Sequence, residues 1–299
     1  MGKHSLKEWI LATRPWSLPA SATPIIVAVS YLFWKGYEIN WFFALWTLIN
    51  MVLFHIIGNL WSDYHDYNHK VDRIDTYGAT TMTSGQFKPE EIRNYALVLF
   101  VIAIAGGITL VALTGLTLLW IGIAGALLTI LYPPLKYNAL SDVDILLTFA
   151  ILPAIGTSFI LTGIIDWSIL WVATPVGFIT VAILHSNNTR DMVSDIRADI
   201  TTVAMKLGHK SSVILYSIEI FLPLVWIILC AIFQIIPASS LFILLSLPFA
   251  LKCYKKMTLS LKEGSHNLSK LGNIDAMTAQ YQLVFTVVLA LAMVIDKLL

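Results

Sequence analysis

The sequence predicts an all-α fold: a polytopic membrane protein of nine transmembrane helices, one domain over residues 1–299, with its N-terminus in the cytoplasm. Three observations carry this. Only 37 of the 299 residues are Asp, Glu, Lys or Arg. Seven apolar stretches make up most of the chain and hold one of those charges, so the rest crowd into the segments between them. The basic residues, finally, fall almost entirely in alternate connecting segments. A soluble chain spreads charge over the outer face of every element, so this partition excludes one. Runs this long and non-alternating also exclude barrel strands, which are about 10 residues of alternating polarity.

Crossing roughly 30 Å of hydrocarbon at 1.5 Å per residue takes about 20 apolar residues. The charge-free stretches between Arg14 and Lys35 and from Ile39 to Ser62 each reach that length, and each predicts one helix. The stretch from Asn94 to Leu135 is long enough for two, with a turn at Leu113-Thr114-Gly115-Leu116-Thr117. One helix each follows from Ile145 to Ile165 and from Trp167 to Thr189. The stretch from Ser211 to Leu251, broken only by Glu219, predicts two around Gln234-Ile235-Ile236-Pro237-Ala238, and that from Ala276 to Ile295 predicts the last. The first run is long enough to remain as a span and lacks a small-residue cleavage site, so no separate signal peptide is expected. Cys230 and Cys253 lack metal-type spacing and read as core residues.

Nine spans place the N-terminus and the loops 62–94, 133–144, 187–211 and 252–275 on one side. That side carries every Lys and Arg except Lys35 and Lys297, which fall on the other. The positive-inside rule then puts these loops in the cytoplasm of a cell whose inner membrane holds the protein. The lysines of loop 252–275 read as a contact with anionic lipid, at about 1 kcal/mol per near-surface charge. No nucleic-acid partner is expected.

Two of the cytoplasmic loops are also acidic. The first carries Asp63, Asp66, Asp72, Asp75, Glu90 and Glu91; the second carries Asp191, Asp195 and Asp199. Each opens with asparagine, Asn59 in one and Asn187-Asn188 in the other. Asp63 and Asp66 are spaced i, i+3, and Asp191, Asp195 and Asp199 are spaced i, i+4, i+8, so a continuing helix stacks them near one face. Like charges so placed repel unless a cation sits among them. Mg²⁺ fits, because it takes oxygen ligands and is held by carboxylates together with substrate phosphates. Arg190 and Lys136 supply the further positive charge that a diphosphate needs.

These residues resemble a known family. Asn59-Leu60-Trp61-Ser62-Asp63-Tyr64-His65-Asp66-Tyr67, followed by Asp72, resembles the first Asp-rich motif of the UbiA superfamily of intramembrane prenyltransferases. Asn187-Asn188-Thr189-Arg190-Asp191-Met192-Val193-Ser194-Asp195 resembles the second. Tyr132-Pro133-Pro134-Leu135-Lys136 is similar to the family's Tyr-Pro-x-x-Lys element, and Arg14-Pro15 to its Arg-Pro opening. Within the superfamily the motifs look most like 1,4-dihydroxy-2-naphthoate polyprenyltransferases of menaquinone synthesis. The resemblance implies Mg²⁺-dependent transfer of a polyprenyl chain from polyprenyl diphosphate to an aromatic acceptor. It implies Asp63, Asp66 and Asp72 on one ion, Asp191 and Asp195 on the other, Lys136 and Arg190 on the diphosphate, and Arg14 among the substrate-binding residues. Asn59 and Asn188 would orient ligands, and the Tyr132 ring would steady an allylic cation.

Three positions depart from the family pattern. Ser62 precedes the first Asp where Asn is usual, Thr80 stands where Arg is expected ahead of Ser84-Gly85, and Asp199-Ile200 replaces Gly-Lys. Other acceptors therefore stay open: another quinone precursor, a porphyrin-type ring or a glycerol-phosphate lipid. A cation-coupled transporter is the alternative of another class, which would place its acidic groups near the midplane on broken helices. Glu219 is either functional or simply protonated or paired, and His55 and His185 read as hydrogen-bonded core histidines.

Overall fold

A computed structural model describes residues 4–74, 76, 79–263, 268 and 270–299. Asp75, and positions 264–267 and 269 of the lysine-bearing loop, lie outside the described residues. Among the described residues the chain is helical, with no strand; its one extended pairing is the bridge between Asn138 and Thr201. The elements are α1 (Leu6–Ala12), α2 (Pro19–Trp34), α3 (Trp41–Asn68), α4 (Thr80–Thr83), α5 (Pro89–Thr114), α6 (Thr117–Tyr137) and α7 (Ser141–Leu146). A π-helical turn (Leu147–Ile151) joins α7 to α8 (Leu152–Thr162), and α9 (Leu170–Arg197), α10 (Val203–Leu207) and α11 (His209–Ile232) follow. A 3₁₀ stretch (Ala238–Ser246) leads into α12 (Leu247–Glu263), and α13 (Ile274–Leu298) ends the chain. Lys252, Lys255, Lys256 and Lys262 thus stand on α12, where a loop was expected.

Eight of the described helical segments are long and apolar enough to cross a membrane, not nine. The stretch that falls short is the first. α2 has 16 residues, or about 24 Å at 1.5 Å per residue. The charge-free stretch had included Pro15 to Leu18, which wind instead through i→i+3 turns, Ser17 donating to the Arg14 carbonyl and Leu18 to that of Pro15. Pro19 has no N–H to donate to Pro15, so the α-helix starts only there. The two ends of α2 nevertheless meet opposite ends of the bundle. Arg14 ahead of it lies beside Asp63, and Lys35 behind it is 2.6 Å from Asp166.

The other boundaries follow the sequence more closely. α5 and α6 part at Gly115, whose φ of +126° suits a residue without Cβ and falls within the expected 113–117 turn. The second long stretch breaks after α11, at residues 233–237. α2, α9, α11 and α13 enclose the largest core cluster, with Tyr31, Val176, Ile179, Ile220 and Phe285 among its buried members. Two buried tyrosines there are bonded within the bundle: Tyr281 donates to the Ile220 carbonyl at 2.9 Å, and the Tyr216 and Thr278 hydroxyls are 2.6 Å apart. Outward faces of α5 and α6 and the turn between them expose Val98, Val101, Leu116 and Trp120. An apolar exterior over spanning helices suits lipid, and the protein is an integral membrane protein.

One close approach fixes how α9 sits. A Cβ at Gly177 would overlap Ala150 Cβ and come within 2.9 Å of Leu146 Cδ1, so α9 lies directly against the π turn. Gly177→Ala is therefore expected to lose about 1–3 kcal/mol through overpacking, read as a fall in Tm in detergent, whereas Gly122→Ala, where a Cβ meets nothing within 4 Å, should not destabilise.

Candidate active site

α3 continues past Ser62 to Asn68, so Asp63 and Asp66 stand on its last turns and not in a loop. α9 likewise carries Asp191 and Asp195 on its last turns, ending at Arg197. Asp199 is not the third member of that stack. The helix has ended before it, it takes a left-handed φ of 55° as the chain reverses, and it does not line the cavity described below. The C-terminal end of a helix is its negative pole, so carboxylates there need cations close by.

The chain supplies some of them. Arg14 Nη2 lies 2.6 Å from Asp63 Oδ1, and Arg14 itself adopts a left-handed φ of 55°, uncommon for a residue with a long side chain. Lys136 Nζ is 2.7 Å from Asp66 Oδ2, to which Ser62 Oγ also donates at 3.1 Å, while Tyr137 donates to Asp66 Oδ1 at 2.8 Å. Asp63 and Asp66 are only 1% and 3% exposed. Arg190 forms a two-pronged pair with Asp191 at 2.8 Å on both arms and reaches the Gly272 carbonyl and Asp275. Asp72 accepts from the Ala79 N–H at 3.2 Å. Burial pushes its carboxyl up to about 6, Asp66 adding to the effect and Arg14 opposing it.

These groups line one cavity of about 990 Å³. Along α3 it runs from Thr47 to Asp66, roughly 28 Å at 1.5 Å per residue. Its far part is apolar, with Met51, Phe54, Ile104, Ile108, Leu119 and Ile123. At the near end, among the described residues, seven carboxyl groups (Asp63, Asp66, Asp72, Asp144, Asp191, Asp195 and Asp275) face three cationic groups (Arg14, Lys136 and Arg190), a formal excess of four negative charges. Two divalent cations would balance them, and an all-oxygen donor set with buried carboxylates fits Mg²⁺.

Every site residue expected from the sequence lines this cavity: Arg14, Asn59, Asp63, Asp66, Asp72, Tyr132, Lys136, Asn188, Arg190, Asp191 and Asp195. Asn59 is turned toward the N-terminal segment, donating to the Thr13 carbonyl and Ser17 Oγ at 3.1 and 3.0 Å. Asn188 Nδ2 is buried without a hydrogen-bond partner among the described residues, which leaves it able to donate to a ligand. Tyr64 and Tyr67 pack against the N-terminal cluster instead. Thr80 lines the cavity in place of the expected cation, and Ile200 is buried. Sequence reasoning passed over Asp144, Asp275 and the grip of Tyr137 on Asp66. Their one signal was position, an acidic or phenolic residue at the mouth of an apolar stretch.

Residues 22–271 match the sequence profile of the UbiA prenyltransferase family. The chain belongs to the UbiA prenyltransferase family. Consistent with that, it is 31% identical over 263 residues to UbiA prenyltransferase domain-containing protein 1 of Danio rerio, covering 83% of this chain and 77% of that one. The Homo sapiens protein of the same name is 31% identical over 74% of this chain and 67% of its own length. Among solved structures, a UbiA homolog from Aeropyrum pernix K1 superposes with a TM-score of 0.65 at 11% identity, covering 93% of this chain and 97% of the other. A UbiA homolog from Archaeoglobus fulgidus bound to GPP and Mg²⁺ does so at 0.58 and 12%, covering 94% and 99%. At those identities the likeness shows the UbiA fold. Family membership makes the chain a prenyltransferase, and the names of these relatives specify no acceptor.

Proposed function

We propose that the protein transfers a polyprenyl chain from polyprenyl diphosphate to an aromatic acceptor, with 1,4-dihydroxy-2-naphthoate as the acceptor and Mg²⁺ as the metal. One observation carries this reading: a single cavity, about 28 Å long along α3, joins a polar end of opposed carboxylates and cations to an apolar channel. A polyprenyl diphosphate has the same two-part chemistry. The acceptor rests on the likeness of the Asn-Leu-x-x-Asp-Tyr and Asn-Asn-x-Arg-Asp runs to those of 1,4-dihydroxy-2-naphthoate polyprenyltransferases.

Asp63, Asp66 and Asp72 would hold one Mg²⁺, and Asp191 and Asp195 the other. Held by these carboxylates, two Mg²⁺ would supply positive charge for the departing diphosphate oxygens. Lys136 and Arg190 add donors to the same oxygens, and the Asn188 amide has an uncommitted N–H for them. Arg14 orients Asp63 through their ion pair. The acceptor ring must meet the allylic carbon before water does. The surrounding helices exclude water from the apolar channel, and the Tyr132 ring can face the developing cation. By the distribution of Lys and Arg, the polar end faces the cytoplasm.

Transfer should stop when chelator removes divalent metal and return with added Mg²⁺. Product mass spectrometry on one polyprenyl diphosphate with a mixture of acceptors tests the rest. The mixture would hold 1,4-dihydroxy-2-naphthoate, another quinone precursor, a porphyrin-type ring and a glycerol-phosphate lipid. Prenylated naphthoate is the expected product; turnover of a different acceptor alone overturns the acceptor assignment and keeps the transferase.

A further inference from the structure

Off the cavity, three side chains from three helices converge on one point. His185 of α9 has its Nδ1 3.5 Å from Asp142 Oδ2 of α7 and 3.4 Å from Glu219 Oε1 of α11. The three ligand atoms all lie within 4.8 Å of one another, and none of the three residues lines the cavity. The His185 side chain is fully buried and that of Glu219 is 6% exposed. Even so, among the described residues His185 Nδ1 and Glu219 Oε2 make no hydrogen bond, the carboxylates reaching Nδ1 only as longer ion-pair contacts. Such atoms in an apolar setting are costly unless something joins them.

The spacing fits an ion. Ligands about 2.1 Å from a tetrahedral centre lie about 3.4 Å from each other. The other imidazole nitrogen is already fixed, with Nε2 2.7 Å from Ser212 Oγ, which in turn meets Thr189. This is how a metal-binding histidine is usually oriented. Two carboxylates and a neutral imidazole balance one divalent charge. Asp142 is half-buried, which gives an ion a way in and leaves a fourth position to water.

We propose that Asp142, His185 and Glu219 bind one divalent transition-metal ion of the Zn²⁺ class, tying α7, α9 and α11 together. The imidazole ligand separates this site from the all-oxygen cavity, because it favours Zn²⁺ over Mg²⁺. The ion would fix the rotation of α9, whose following turns carry Asn188, Asp191 and Asp195.

The test uses the full chain in detergent, stripped with chelator and titrated with Zn²⁺ alone, with bound metal counted by elemental mass spectrometry. One Zn²⁺ per chain is expected, together with a rise in Tm. Both should persist in Asp63→Asn/Asp191→Asn and disappear in Glu219→Gln and in Asp142→Asn, near-isosteric changes of which either suffices if the other misfolds. Ser212→Ala should weaken Zn²⁺ binding about 10- to 100-fold through the freed imidazole. If the unaltered chain takes up no Zn²⁺, or Glu219→Gln and Asp142→Asn bind it as well as the parent, the cluster is a histidine paired with two carboxylates and the proposal fails. Loss of Zn²⁺ in Asp63→Asn/Asp191→Asn alone would move the ion to the cavity and overturn it equally. None of these readouts requires prenyl transfer, so their failure is distinct from failure of the proposed reaction.

Discussion

Asp63→Ala is expected to abolish Mg²⁺-dependent prenyl transfer, lowering kcat by at least about 10³-fold, or roughly 4 kcal/mol of transition-state stabilisation. Asp191→Ala should do the same from the other wall of the cavity. In the proposed reaction the slow event is departure of a diphosphate that carries several negative charges, and only positive charge held at that end of the cavity makes it leave. Asp63 is 1% exposed and stands at the negative end of α3, a position a carboxylate keeps only with cations around it. Folding should survive, because Arg14 is 31% exposed and can turn to solvent once its partner is gone. The check is a transfer assay alongside size-exclusion behaviour in detergent. Full activity in either variant would sink the assignment of both Asp-rich segments.

Much of the site could be read in the residues because its chemistry is carried by short local patterns. Asp63 and Asp66, and again Asp191 and Asp195, fall one helical turn apart, so sequence spacing alone places each pair on one face. Helix number was less legible. Charge-free length counts residues, and it could not register that Pro19 prevents the Pro15–Leu18 turns from joining α2. Asp199 failed for a related reason: i+8 spacing has meaning only if the helix persists, and α9 ends before it, at Arg197. Partners distant in sequence were not legible at all. The pairing of Asp66 with Lys136 and Tyr137, and the gathering of Asp142, His185 and Glu219 from three helices, depend on how α3, α6, α7, α9 and α11 pack. Glu219 as a charged stretch-breaker and His185 as a core histidine were visible separately, but nothing in the chain alone paired them or added Asp142.

Lys136→Met should produce a second large effect, one that separates structure from chemistry. Lys136 Nζ is 2.7 Å from Asp66 Oδ2, with both side chains largely buried. Removing one member of a buried pair strands the other charge, at about 3–5 kcal/mol. The single variant should therefore be inactive and also visibly less stable, with Tyr137 and Ser62 left as the neutral donors to Asp66. Lys136→Met/Asp66→Asn removes both charges and keeps the shape, so it should recover most of the lost Tm. Activity should stay absent, because the double variant has lost both a donor to the diphosphate and a carboxylate for the metal. If the double variant regained transfer along with stability, neither the Lys136 charge nor the Asp66 carboxylate would be needed for the chemistry, and the assignment of Asp66 to the metal would fall. If instead the single variant kept its Tm yet lost turnover, the pair would contribute little to folding and Lys136 would act on the substrate directly.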